Sequence, residues 1–275
     1  MSYLIEIIKA VVLGIIQGIT EWLPISSTGH LILFDSIWPM EPASFFEVFK
    51  VVIQFGSILA VLVIYWNKLN PWSGHKSEAK KSETFHLWIN VLIGCIPAGV
   101  FGILLDDIIE DYLSATFVIA VMLIAYGIIF IVISKHSKKP TVTKLSQLTW
   151  KESLAIGFFQ CLALIPGTSR SGATILGGLA MGCSRYVASE FSFFIAIPVM
   201  AGASGLKILK YLIKVGMFSF GQLGLLLVGT LVAFIVSLFA IKALLNYVRN
   251  HTFEVFGWYR IVLGLIVLFF FYVLK

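Results

Sequence analysis

Six long, nearly uninterrupted apolar stretches constrain this chain more than any other feature. They run approximately Phe45–Trp66, Phe85–Leu105, Tyr112–Ser134, Val187–Leu206, Phe218–Ala240 and Thr252–Leu274. Each is long enough to cross a hydrocarbon core of ~30 Å as a helix. Only helices and closed barrels satisfy their backbone inside a bilayer. The composition agrees: 59% of residues are hydrophobic and 12% charged, against about a quarter charged in a soluble domain. So few charges cannot coat a water-facing surface, which excludes a cytosolic enzyme or a secreted binding module. The expected fold class is an all-α polytopic membrane protein, with residues 1–275 forming a single membrane domain.

Two further apolar segments, Tyr3–Leu33 and Trp150–Gly182, are broken in the middle, by EWLPISSTGH and by IPGTSRSGAT. Proline, glycine and clustered hydroxyls at such depth predict a helix that enters, unwinds and returns. Non-helical backbone is tolerated there only where protein buries it or it lines a wet cavity. Both loops are therefore expected to line a cavity. The halves of the chain also match. A shift of 143 residues superposes Gly14 on Gly157, Gln17 on Gln160 and Glu47 on Glu190, while a shift of 142 puts Pro24 on Pro166, Ser26 on Thr168 and Ser27 on Ser169. These matches predict internal repeats of approximately 1–140 and 145–275. Each repeat holds one re-entrant helix-loop-helix plus three transmembrane helices. Three crossings are odd, so the second repeat is inverted relative to the first, with a site near the midplane where the broken helices meet.

Loop charge orients the chain. Asn67–Thr84 holds four Lys against two Glu, Lys135–Lys151 holds five Lys, and Asp106–Asp111 holds four acids and no base. Basic loops stay cytoplasmic, which places the acidic segment and the first broken loop on the outer side. Lys207, Lys210 and Lys214 then fall on the outer side, against the trend. The net charge of +6 is the ordinary lysine excess of cytoplasmic loops, and nothing in the chain points to nucleic acid as a partner. Cys95, Cys161 and Cys183 have no CxxC spacing and read as small core-filling residues. Glu6 and Lys9 interrupt the amino-terminal apolar stretch, so it is not expected to be a signal peptide. Arg260, Arg185 and Lys50 are expected to be interfacial anchors.

An ionisable side chain at the centre of a membrane helix costs roughly 2.5–3.5 kcal/mol. Glu21, His30, Glu47, Arg170 and Glu190 all fall in or beside apolar segments, so they must share a hydrated pocket or pair with one another. Gln17 and Glu21 are four residues apart and share a helix face. Glu21 either braces the loop or orients water or a metal. Ser26 and Ser27 are candidate caps as well as candidate phosphate contacts. His30, three residues after Ser27, is a candidate for deprotonating it or for protonating a leaving oxygen. Arg170 is the one base between Glu152 and Ser184, with Ser169, Ser171 and Thr174 around it. Its planar fork suits phosphate oxygens, and a helix starting there turns its positive end toward an anion. Glu47 and Glu190 sit near the starts of their spans, where acids favour the helix dipole.

The segments Gln17-GIT-Glu21 with Ser26-Ser27-Thr28-Gly29-His30, and Pro166-Gly167-Thr168-Ser169-Arg170-Ser171-Gly172-Ala173-Thr174, resemble the two motifs of the bacterial undecaprenyl-diphosphatases, also called bacitracin-resistance proteins. The resemblance covers essentially the whole chain, with Gln17 where many members carry Glu. It implies hydrolysis of undecaprenyl diphosphate to undecaprenyl phosphate and inorganic phosphate in the bacterial cell membrane. That reaction recycles the lipid carrier of peptidoglycan synthesis. On this reading Glu21, His30 and Ser27 are catalytic, with Ser27, His30 or an activated water as the attacking group. Arg170, Ser169, Ser171, Thr174, Ser26 and Gln17 bind the diphosphate. The resemblance also implies a divalent metal, Mg or Ca, with Glu21 as its contact. The expected partners are the diphosphate lipid and the bilayer, with the active site facing the outer side. A polyprenyl-phosphate flippase built on the inverted repeats is the alternative.

Overall fold

The computed structural model describes residues 3–108, 116–135 and 139–274. Among the described residues, ten helices of more than ten residues carry the fold. They are α1 (Tyr3–Thr20), α2 (Ser27–Ile37), α3 (Ala43–Ile64), α4 (Glu78–Ile108), α5 (Thr116–Lys135), α6 (Trp150–Cys161), α7 (Arg170–Ala180), α8 (Arg185–Lys214), α9 (Phe220–Asn250) and α10 (Glu254–Phe269). The six spans expected from the sequence are α3, α4, α5, α8, α9 and α10. Three of them, α4, α8 and α9, run past their apolar stretches into polar ends. The helix α1 is itself long and apolar enough to cross a membrane, which makes seven such helices among the described residues. Of the acidic segment Asp106–Asp111, residues 109–111 lie outside the described residues.

Both broken segments fold as helical hairpins. In the first, α2 returns along α1, and the Lys9 ammonium donates to the Pro39 carbonyl just beyond the end of α2. In the second, α7 packs back on α6, where Gly177 leaves space for the Phe159 ring. The hairpins open in opposite directions. Tyr3, at the start of α1, bonds Gly221 at the start of α9, whereas Gly182, just past α7, bonds Thr141 in the connection between α5 and α6.

Helix α8 runs through the middle, with every residue from Val187 to Ala196 buried. On α9 a stripe of Leu227, Leu231, Ile235 and Phe239, spaced by four, is exposed, as a lipid-facing surface requires. Helix pairs are matched across the two halves: α1 packs on α9 as α6 packs on α4, and α5 packs on α10. Close backbone approach sets these crossings. A Cβ on Gly14 of α1 would strike the Gly229 carbonyl of α9, and one on Gly157 of α6 would strike the Gly94 carbonyl of α4. Small residues at such crossings are how membrane helices gain packing where lipid offers no hydrophobic drive.

Candidate active site

The two hairpin loops have the same local build. Each second helix is preceded by a serine of positive φ, Ser26 at 74° and Ser169 at 73°. Each Oγ accepts from the amide of a glycine three residues on, Gly29 at 3.3 Å and Gly172 at 3.1 Å. These caps satisfy amides that a helix start leaves unpaired. They align the loops at 143 residues, so Ser26 corresponds to Ser169 and Ser27 to Arg170. The 142-residue shift, which matched Ser27 with Ser169, does not describe the backbone.

The loops meet. Arg170 Nη2 donates to Glu21 Oε1 at 3.0 Å, and Ser171 Oγ donates to the Glu21 carbonyl at 2.9 Å. Arg260 of α10 fastens both loops from behind: Nη1 donates to the Pro24 carbonyl at 3.1 Å, and Nη2 to the Gly167 and Thr168 carbonyls at 2.9 and 3.0 Å. Arg260 is fully buried, so the expectation of an interfacial anchor is corrected. Unwound turns leave carbonyls that a guanidinium with five donors can collect. Gly167 needs its glycine, since it sits at φ 93° with the Ile119 backbone against it. Arg185, by contrast, is a surface residue that donates to the His251 carbonyl, and Lys50 pairs with Glu47.

Glu21 is the hub. Its Oε2 accepts from Gln17 Nε2 at 3.0 Å and from Ser27 Oγ at 2.7 Å. Arg170 is held in turn by the Ser192 carbonyl at 2.7 Å and lies 5.8 Å from the Trp22 ring centre. The Glu21–Arg170 pair is nearly buried, so removing either partner would strand a charge at a cost of about 3–5 kcal/mol.

Glu21, Ser26, Ser27, Ser169 and Arg170 line one cavity of about 650 Å³, well within the usual size for a ligand site. The starts of α2 and α7 both lie on its wall, which favours an anion. From this polar end the cavity continues between α4 and α8, past Gly102, Ile103 and Leu206, to Lys207 and Lys210. Two of the three lysines that opposed the loop-charge trend, Lys207 and Lys210, are thus part of the cavity wall. Cys95 also faces the cavity, while Cys183 is buried as a core residue.

The remaining expected site residues stand behind that wall. Gln17 is fully buried against Glu21, and Ser171 stitches the loops together. Thr174 bonds the Arg170 carbonyl at 2.9 Å and the Ser192 hydroxyl at 2.7 Å. His30 has no hydrogen bond to Ser27. Its Nδ1 lies 2.7 Å from the Ser26 carbonyl, which fixes the proton there, and its Nε2 accepts from the Tyr259 hydroxyl at 2.7 Å. The reason is the helix: Nδ1 reaches back one turn to the carbonyl of residue i−4, which swings Nε2 toward α10. Glu47 and Glu190 also stand apart from this site, Glu47 beside Lys50 and Glu190 bonded to Lys68 at 2.8 Å.

Sequence reasoning missed Ser192, Tyr259 and the role of Arg260. Each reaches the loops from a spanning helix, where no local motif marks it.

No group of three or more His, Cys, Asp or Glu among the described residues is arranged to hold a metal. Glu21 does put a carboxylate on the cavity wall, with its oxygens accepting from Arg170, Gln17 and Ser27. Magnesium is commonly held by one or two carboxylates plus substrate phosphates and water. Beside Glu21, the buried Gln17 Oε1 has no hydrogen-bond partner.

Comparison with known proteins agrees with this geometry. The family described as Bacitracin resistance protein BacA matches residues 10–266. A Clostridioides difficile protein named Undecaprenyl-diphosphatase 1 is 55% identical over 98% of this chain and 98% of its own length. A Streptococcus thermophilus Undecaprenyl-diphosphatase is 53% identical over 98% of this chain and 94% of its own. One from Enterococcus faecalis is 52% identical over 94% of this chain and 95% of its own. With a match running almost end to end, and both motif loops joined in one cavity, the chain belongs to the bacitracin resistance protein BacA family.

Proposed function

We propose that this protein is a membrane phosphatase that hydrolyses undecaprenyl diphosphate to undecaprenyl phosphate and inorganic phosphate. In doing so it returns the lipid carrier to peptidoglycan synthesis and confers bacitracin resistance. The observation that carries this reading is the Ser27–Glu21–Arg170 chain at the junction of the hairpins, on the wall of a cavity that is polar at one end and apolar beyond. The diphosphate takes the polar end, with Arg170, Ser169 and the starts of α2 and α7 about it, and the prenyl chain takes the apolar part.

Glu21 is within hydrogen-bond reach of Ser27, the relation of a base to its nucleophile. In the proposed reaction Ser27 Oγ attacks the terminal phosphorus and its proton passes to Glu21. The bond from that phosphorus to the bridging oxygen breaks, and undecaprenyl phosphate leaves with the proton. Water then attacks the phosphoserine with Glu21 as base. The Ser27 oxygen is reprotonated, and inorganic phosphate is released. Arg170 stabilises charge on the phosphoryl oxygens in both steps. We further propose a divalent ion, Mg or Ca, held by Glu21 with Gln17 Oε1 beside it. Such an ion would supply charge neutralisation to the phosphoryl oxygens. His30 holds the Ser26 turn in place through its bond to that carbonyl.

Matched caps and helix pairings support the reading of two inverted repeats, approximately 1–140 and 145–275. Loop charge supports an active site that faces the outer side of the bacterial cell membrane. The test is phosphate release by the purified protein in detergent with undecaprenyl diphosphate. A flippase without turnover would release none. In intact cells, on a background with the native cysteines replaced, Met217→Cys should label with an impermeant reagent and Ser77→Cys should not. The reverse pattern overturns the orientation.

A further inference from the structure

Gln17 and Gln160 occupy the same place in the two hairpins, at a shift of 143 residues. In the first hairpin the Gln17 amide donates to Glu21, four residues on. In the second, Leu164 stands where Glu21 would be, and both amide atoms of Gln160 are buried without a hydrogen-bond partner. Gln160 is 2% exposed, and it lines the same cavity as Arg170 and Ser27. Ala163 and Leu164, in the short 3-10 turn that follows α6, line it too.

Leaving a buried amide wholly unpaired costs stability unless something else bonds it. An apolar side chain would serve packing better at this position. The cost is understandable where a ligand supplies the missing partner, since an unsatisfied buried group in a native structure calls for such a reason. The first hairpin brings its own carboxylate to the glutamine. The second brings an arginine for an anion, and its glutamine faces the same space.

We propose that Gln160 is a substrate-binding residue whose Nε2 donates to a phosphoryl oxygen of the diphosphate headgroup. The inference rests on the phosphatase reading for its substrate, and its test separates the two. Two readouts are needed on the purified full-length protein, for wild type, Gln160→Leu and Gln160→Glu. The first is protection against thermal unfolding by inorganic diphosphate, which requires no turnover. The second is the KM and kcat for undecaprenyl diphosphate. Gln160→Leu should need about tenfold more inorganic diphosphate for half-maximal protection, the loss of one hydrogen bond to a charged group. Its KM should rise by a similar factor with kcat within about threefold, the signature of lost ground-state binding. Its unfolding temperature without ligand should stay level or rise. Gln160→Glu should bind diphosphate more weakly still, because it turns a carboxylate toward the anion.

Diphosphate protection of Gln160→Leu within twofold of wild type overturns the proposal. So does weaker binding accompanied by a lower unfolding temperature, which marks a packing role or the loss of an internal water. If wild type and Gln160→Leu differ in protection by the expected factor while neither releases phosphate, the phosphatase reading fails and the anion contact stands.

Discussion

The two hairpin loops share a backbone and differ in chemistry. Each places a capping serine at φ near 74° before a short helix, and each turns that helix start onto one cavity. The first carries Glu21 and Ser27; the second carries Leu164 and Arg170 at the same positions. The same turn occurs twice with unlike side chains, and on the proposed mechanism one side holds the anion while the other acts on it. Similar backbones in opposed hairpins supply two converging helix starts. The side chains that differ between them supply the division of labour in the proposed reaction.

The sharpest way to break this comparison is at Ser27, the acting side. Ser27→Ala should lower kcat about 10³-fold or more, as loss of a nucleophile does, with diphosphate protection against unfolding largely kept. Steady-state phosphate release decides it. If a tenth of wild-type turnover remains, Ser27 is not the attacking group, and a water oriented by Glu21 takes its place.

The binding side answers to Arg170. Arg170→Lys keeps a charge but loses the planar fork that reaches both Glu21 and Ser192. We expect kcat/KM to fall about 10²-fold, because lysine does not replace a bidentate guanidinium. Near wild-type kinetics in Arg170→Lys would show that charge alone is enough, and that the two sides are less specialised than their side chains imply.

The smallest expected effect is at Tyr259, which bonds His30 and lies half-exposed on α10. Tyr259→Phe removes one hydrogen bond, worth about 0.5–1.5 kcal/mol, so activity should fall by less than about tenfold. The pH–rate profile should keep its shape. A displaced limb in that profile would mean that His30 exchanges a proton during turnover, and it would move the imidazole from the supporting to the acting side.

Much of this was legible in the chain. Apolar runs of membrane length specify an all-α polytopic fold, because barrel strands are about half as long and alternate apolar with polar residues. PISSTGH and IPGTSRSGAT announce their own breaks, since proline, glycine and hydroxyl residues act on the backbone locally. Glu21 and Arg170 stand out because a charge in an apolar segment must have a reason. What joined them was the tertiary structure. The Glu21–Arg170 bond spans 149 residues, the His30–Tyr259 bond 229 and the Arg260–Pro24 bond 236. No periodicity or motif encodes a contact at such separation. Arg260 and Tyr259 sit in a spanning helix whose pattern reports only which face meets lipid. Whether His30 faces Ser27 or α10, and whether Gln160 finds a partner, depends on how helices from both halves pack around the loops. Helix packing is set by the fit of many small contacts, and that fit exists only once the chain has folded.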